Sequence, residues 1–179
     1  DLDALGIPYT LQMFHGDHDN PPPSVRFKSH ITYFFPLNAT VELSPRVLNG
    51  RHWWPLVEAA IELPGDLDVA DIDVATLAIT QVNGEDLDAP LQPLLATDIS
   101  DVNGNGRDDL TIWFWQPAML HVLDGLGISN GEAFDLTIEG ETVDEWFLAA
   151  TDEARAVNLK AARAMPMWPM VPVAVIASF

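Results

Sequence analysis

The chain has 179 residues, one domain's worth with room for an arm or two, and at 48% hydrophobic it can bury a real core. Twenty-seven acids against eight bases give a net charge of -19, which argues against nucleic acid and against anionic membrane surfaces, since phosphate contacts need Lys and Arg. With no cysteine there are neither disulfides nor thiolate metal sites, whereas such acidity suits hard divalent cations or a high-salt habitat.

No signal peptide is evident, and no apolar run reaches the ~18 residues of a membrane span. A start at Asp1 reads as a processed product or an excerpt. Residues 1–24 read as an acidic, turn-rich arm that ends in Pro21-Pro22-Pro23 and favours extended geometry. Within it, His15-Gly16-Asp17-His18-Asp19 carries metal-binding atoms, but histidines this close lack a well-spaced third ligand, and a polar turn is the simpler reading. A strand is expected over 25–35, with Val25, Phe27, Ile31, Tyr33 and Phe35 on one face, and Pro36 ends it.

Asn38-Ala39-Thr40 is an N-glycosylation sequon in the short link to the next strand, 39–43. A turn at Pro45 leads to a strand at 57–63, where Val57, Ala59, Ile61 and Leu63 alternate with Glu58 and Glu62. The acids of 66–73 could form a second cation site, or a solvated turn with Asp71 capping a helical turn. Lacking a glycine where a ligand loop would bend, the segment reads better as a turn. A strand at 74–82 and an Asn83-Gly84 turn follow.

The most informative stretch is Asp98 to Leu110. Counted from Asp101, side-chain oxygens fall at positions 1, 3, 5 and 9 (Asp101, Asn103, Asn105, Asp109), with Gly106 at position 6 and the Arg107 carbonyl available at position 7. That spacing wraps oxygens around a hard cation, so one Ca²⁺ is expected here, with Asp98 and Asp108 as possible additions. An ion-free Asn-Gly turn is the competing reading. Two sure charged ligands imply weak binding, in the range of about 10⁻⁴–10⁻³ M. Ile112 stands where an EF-hand needs its bidentate Glu, and the run to Trp115 reads as a strand, not a helix. On that strand Trp113 and Trp115 share a face opposite Leu110, Ile112 and Phe114; the pair could stack on sugar rings or lie in a core or subunit interface.

One clear helix is expected over 117–126, with Pro117 in its first turn and Met119, Val122, Leu123 and Leu126 as its apolar stripe. His121 falls off that stripe and reads as surface. Strands at 133–140 and 146–150 complete an all-β, Ig-like β-sandwich over 25–150, with one short helix and extended terminal arms. Residues 151–179 are expected to hold C-terminal strands.

Val41-Glu42-Leu43-Ser44-Pro45, Ile61-Glu62-Leu63-Pro64, Asp68-Val69-Ala70-Asp71-Ile72-Asp73, the loop from Asp101, and Phe134 to Gly140 together resemble bacterial and archaeal cell-surface β-sandwich modules. The resemblance covers about residues 39–150 and implies an Ig-like sandwich with a calcium turn, found in large secreted or surface-anchored proteins and in no single enzyme class. In this chain Asn replaces the family's Asp at 103 and 105, and His52-Trp53-Trp54 replaces a basic, polar stretch.

The C-terminal run Trp168 to Ile176 echoes Trp54 to Ile61, as though it opened a module that never continues. An apolar strand of this kind is an aggregation hazard unless covered. It could fold back on its own sandwich, belong to a longer multi-module chain, or be donated to the next subunit as an assembly strand of Met170, Val171, Val173, Val175 and Ile176, in which the alternating valines set register. Scattered histidines and serines outside any nucleophile motif supply no catalytic constellation. The expectation is therefore a structural subunit of an extracellular filament or surface layer, calcium-stabilised and partnered by copies of itself. A glycan-binding or adhesive module of a larger secreted protein is the alternative.

Overall fold

The computed structural model describes residues 36–51 and 55–159. The N-terminal arm, the His15–Asp19 turn, the strand over 25–35 and the assembly strand from Met170 to Ile176 lie outside the described residues. Ten strands are described: β1 (Leu37–Asn38), β2 (Thr40–Ser44), β3 (Val47–Asn49), β4 (Leu56–Glu62), β5 (Ile72–Val82), β6 (Glu85–Leu91), β7 (Leu95–Ser100), β8 (Asp109–Trp115), β9 (Ala133–Thr142) and β10 (Phe147–Val157). One helix, α1 (Gln116–Gly125), joins β8 to β9.

The strands form two sheets, β2-β4-β8-β7 and β1-β10-β9-β5-β6, with β3 also paired to β10. β1 and β3 run parallel to β10, and the remaining pairs are antiparallel. The fold is thus an all-β sandwich with one short helix, and its strand order is shared with immunoglobulin-type domains.

Alternation decides which side chains meet between the sheets, because successive residues of a strand point to opposite faces. Val57, Ala59 and Ile61 of β4 and Leu110, Ile112 and Phe114 of β8 are buried on one side. Leu77 and Ile79 of β5, Phe134, Leu136 and Ile138 of β9, and Leu148 and Ala150 of β10 are buried on the other. β9 runs so close to β5 that a Cβ on Gly140 would lie 2.7 Å from Leu77 Cδ2 and 3.3 Å from the Leu77 Cα. A side chain there would push aside the buried Leu77 side chain and crowd its backbone, so glycine suits the position.

The helix begins at Gln116, and its buried face is Met119, Leu120 and Leu123, with Val122 only half-buried. Leu126, expected on the stripe, is the C-cap and is exposed, because the chain leaves the helix at Gly127, whose φ is 78°. His121 is exposed, off the buried face.

The strand expected over 146–150 runs on to Val157 as β10, across the expected boundary at residue 150. On its inward register, between Ala150 and Ala154, stands Asp152. Its Oδ2 accepts from the Leu43 amide at 2.9 Å and lies 3.3 Å from Arg46 Nε. An otherwise costly inward carboxylate is thereby satisfied where the chain passes from β2 to β3.

Candidate metal centre

The loop Asp101–Asp109 links the edge strand β7 to the central strand β8. Its side-chain oxygens turn onto its own backbone. Asp101 Oδ1 accepts from the Asn105 amide at 3.0 Å and Oδ2 from the Gly106 amide at 2.8 Å. Asn103 Oδ1 accepts from the Asn105 amide at 3.0 Å, and Asn105 Oδ1 from the Arg107 amide at 2.8 Å. Asp109, only 2% exposed, accepts from the Val102 amide at 2.9 Å and closes the loop. Gly104 and Gly106 have φ of 75° and 90°, the left-handed region that lets the chain coil this tightly.

These bonds bring Asp101, Asn103, Asn105 and Asp109 into one hydrogen-bonded loop, at the spacing expected of them. The Arg107 guanidinium leaves the loop. Nε lies 3.1 Å from Glu62 Oε1, and one terminal nitrogen donates to the Leu63 carbonyl and, at 2.6 Å, to the Gly65 carbonyl. The guanidinium thus meets Glu62 and two backbone carbonyls outside the loop. Asp98 sits on β7 opposite Thr111, before the loop, and Asp108 is exposed.

The donor set fits a hard cation of modest affinity: two carboxylates, two amide oxygens and a carbonyl, with no nitrogen or sulfur ligand. Among the described residues no group of three or more His, Asp or Glu side chains gathers at one point, and the loop's set is mixed. A bound cation would supply charge neutralisation and cross-linking of the loop, not chemistry on a substrate.

Glu62 is a partner of the loop that sequence reasoning misses. It holds the loop to β4 through Asn105 Nδ2, which donates to its Oε2 at 2.6 Å, and through Arg107. The only sequence signal is an acid at the end of a strand, 43 residues away from Asn105.

The segment 66–73 behaves as a capped turn. Asp68, not Asp71, is the N-cap of a 3-10 turn, Val69–Asp71, and accepts from the Ala70 amide at 2.9 Å. Asp73 accepts from the Ala75 amide at 3.1 Å. Trp113 and Trp115 lie half-buried on the outer face of their sheet, opposite Glu58 and Leu56 of β4, so the inner core does not contain them. Asn38 is exposed on β1, beside Ala149. Compared with protein families, curated proteins and solved structures, the chain has no match.

Proposed function

We propose that this protein is a calcium-stabilised structural subunit of an extracellular filament or surface layer, in which a terminal strand of one copy completes a sheet of the next. The observation that carries the reading is the division of charge along the chain. Four acids (Asp1, Asp3, Asp17, Asp19) and four bases (Arg26, Lys28, Lys160, Arg163) fall outside the described sandwich, so the sandwich holds the whole of the -19. Those bases sit in two apolar stretches, 25–35 and 160–179, and neither stretch contains an acid. Sandwiches this acidic repel one another, whereas an apolar strand that carries bases, as 25–35 does, or follows them, as 165–179 follows Lys160 and Arg163, is drawn to them.

Strand addition needs an open edge. β6 is guarded by Glu85, Asp86, Asp88 and Pro90, the residues that blunt edges against pairing. β7 carries Asp98 alone among charged residues and leaves Ile99 43% exposed, which favours it as the acceptor. Val171, Val173 and Val175 would fill alternate pockets while main-chain hydrogen bonds supply affinity. A head-to-tail contact of this kind is heterologous, so it propagates into an open filament. Calcium on Asp101, Asn103, Asn105, Asp109 and the Arg107 carbonyl would brace the turn that enters β8, stabilising the folded state by mass action. Asn38 is a glycosylation site in a host that modifies sequons.

The test is assembly of the full chain, read by sedimentation and electron microscopy, against deletions of residues 165–179 and 1–35. One deletion should leave soluble monomers, and a synthetic peptide of the missing segment should cap them. If both deletions polymerise like the full chain, strand exchange is wrong. A second reading, glycan binding, draws on the placement of Trp113 and Trp115 on an outer face. It requires polysaccharide binding by a monomer, and loss of that binding in a Trp113→Ala, Trp115→Ala double variant.

A further inference from the structure

Five Asn-Gly pairs punctuate the described residues: Asn49-Gly50, Asn83-Gly84, Asn103-Gly104, Asn105-Gly106 and Asn130-Gly131. In such a pair the glycine amide can attack the asparagine side chain, because no Cβ crowds the approach and glycine reaches the backbone angles required. Attack needs a glycine nitrogen free of hydrogen bonds and an asparagine side chain free to rotate.

Four of the five pairs are restrained. Gly50 donates to the Val157 carbonyl at 3.0 Å and Gly131 to the Ala156 carbonyl at 2.7 Å. Gly106 donates to Asp101 at 2.8 Å, and the Asn105 side-chain amide is held by Glu62 on one side and the Arg107 backbone amide on the other. Asn83 is clamped to β9, its backbone amide donating to the Asp135 carbonyl at 2.9 Å while its Oδ1 accepts from the Asp135 amide at 2.9 Å. Asn103 differs: like Gly84, the Gly104 nitrogen donates to nothing among the described residues, but unlike Asn83 the Asn103 side chain is tied only to the Asn105 amide of the same exposed loop.

We infer that Asn103 is a self-modification site, converting to aspartate and isoaspartate through a succinimide. The Gly104 nitrogen forms a bond to Asn103 Cγ, and the side-chain nitrogen leaves as ammonia, taking the glycine amide proton. Water then opens the five-membered ring. Cleavage at Cγ restores the backbone and leaves an aspartate at position 103. Cleavage at the α-carbonyl leaves an isoaspartate there, with the main chain running through the former side chain. The consequence rests on the calcium reading. The aspartate product adds a third carboxylate to the loop, whereas the isoaspartate product lengthens the chain inside it and displaces the later ligands. Calcium, by holding the Asn103 side-chain oxygen, slows the conversion.

The test incubates the full chain at mildly alkaline pH in chelator, in calcium and in denaturant, with mass-spectrometric peptide mapping of all five pairs. In denaturant the five should convert at similar rates. In the folded protein with chelator, Asn103 should outpace Asn49, Asn105 and Asn130 by roughly fivefold, the rate factor of one net hydrogen bond. Equal rates in the folded protein, or the same ranking in denaturant, would overturn the inference. Calorimetric titration of Asn103→Asp should show calcium affinity about tenfold tighter than that of the unmodified chain, since ligand charge sets affinity in such loops. If neither form binds calcium, the calcium reading fails on its own, while the rates in chelator still decide the modification.

Discussion

The segments 66–73 and 98–109 carry four aspartates each, and the protein uses them in opposite ways. In the first, Asp68 and Asp73 each bond an amide two residues ahead, and all four acids are exposed. In the second, Asp101 takes amides four and five residues ahead, and Asp109 takes one seven residues back. Bonds over two residues leave every acid solitary at the surface. Bonds over four to seven residues, made possible by glycines at positive φ, coil the chain and bring its oxygens together. Acid count alone therefore says little about cation binding; the reach of each acid's hydrogen bond says more.

The sharpest way to break that contrast is Asp101→Ala. It leaves the Gly106 amide without its acceptor and the Asn105 amide with Asn103 alone; a charge-assisted bond is worth about 1.5–3 kcal/mol, and with Asp101 exposed and one amide still bonded the expected loss is about 2–4 kcal/mol. Denaturant unfolding with calcium and with chelator should also lose its calcium dependence. A variant that responds to calcium like the parent chain would remove the loop from consideration as the ion site.

Glu62→Ala tests whether the loop's order depends on its anchor to β4. The carboxylate is mostly covered, and it accepts from both Asn105 and Arg107. Its removal should cost about 1–2 kcal/mol and weaken calcium binding without abolishing it. Unchanged affinity in a stable Glu62→Ala chain would mean that the loop holds its shape unaided. Asp68→Ala is the counterpart in the other segment. It removes one N-cap, for about 1 kcal/mol, and should leave the calcium response untouched.

The strands with a buried face were legible because alternation marks them: β4, β5, β8 and β9 match expected strands to within two residues at either end. β6 and β7 carry no such mark. β6 pairs on one side only and its residues are mostly exposed, so it has little apolar alternation to reveal it. β7 carries a register shift between Ala96 and Asp98 that breaks its period. That Asp101, Asn103, Asn105 and Asp109 belong to one tight loop was legible from their spacing, since its hydrogen bonds are local. Glu62 and Asp152 were not, because each acts on partners more than 40 residues away, Asn105 for one and Leu43 for the other. An acid in a strand looks the same in sequence whether it faces solvent or satisfies a distant amide.

The smallest expected effect is a coupling energy, and it separates the two segments most cleanly. Asp68 and Asp73 share no hydrogen-bond partner, so the double Ala variant should lose the sum of the single losses to within about 0.3–0.5 kcal/mol. Asp101 and Asp109 also bond different amides, but both bonds fix the same coil, one at each end. Once Asp101 is gone the Gly106 turn is released, and Asp109 has less structure left to hold. The cycle for Asp101→Ala and Asp109→Asn should therefore be non-additive by about 0.5–1 kcal/mol in chelator, with the double variant less damaged than the sum. In calcium the coupling should grow, because either substitution alone already weakens the ion. Additive losses in both segments, with and without calcium, would mean that the loop's aspartates are as solitary as those of the turn.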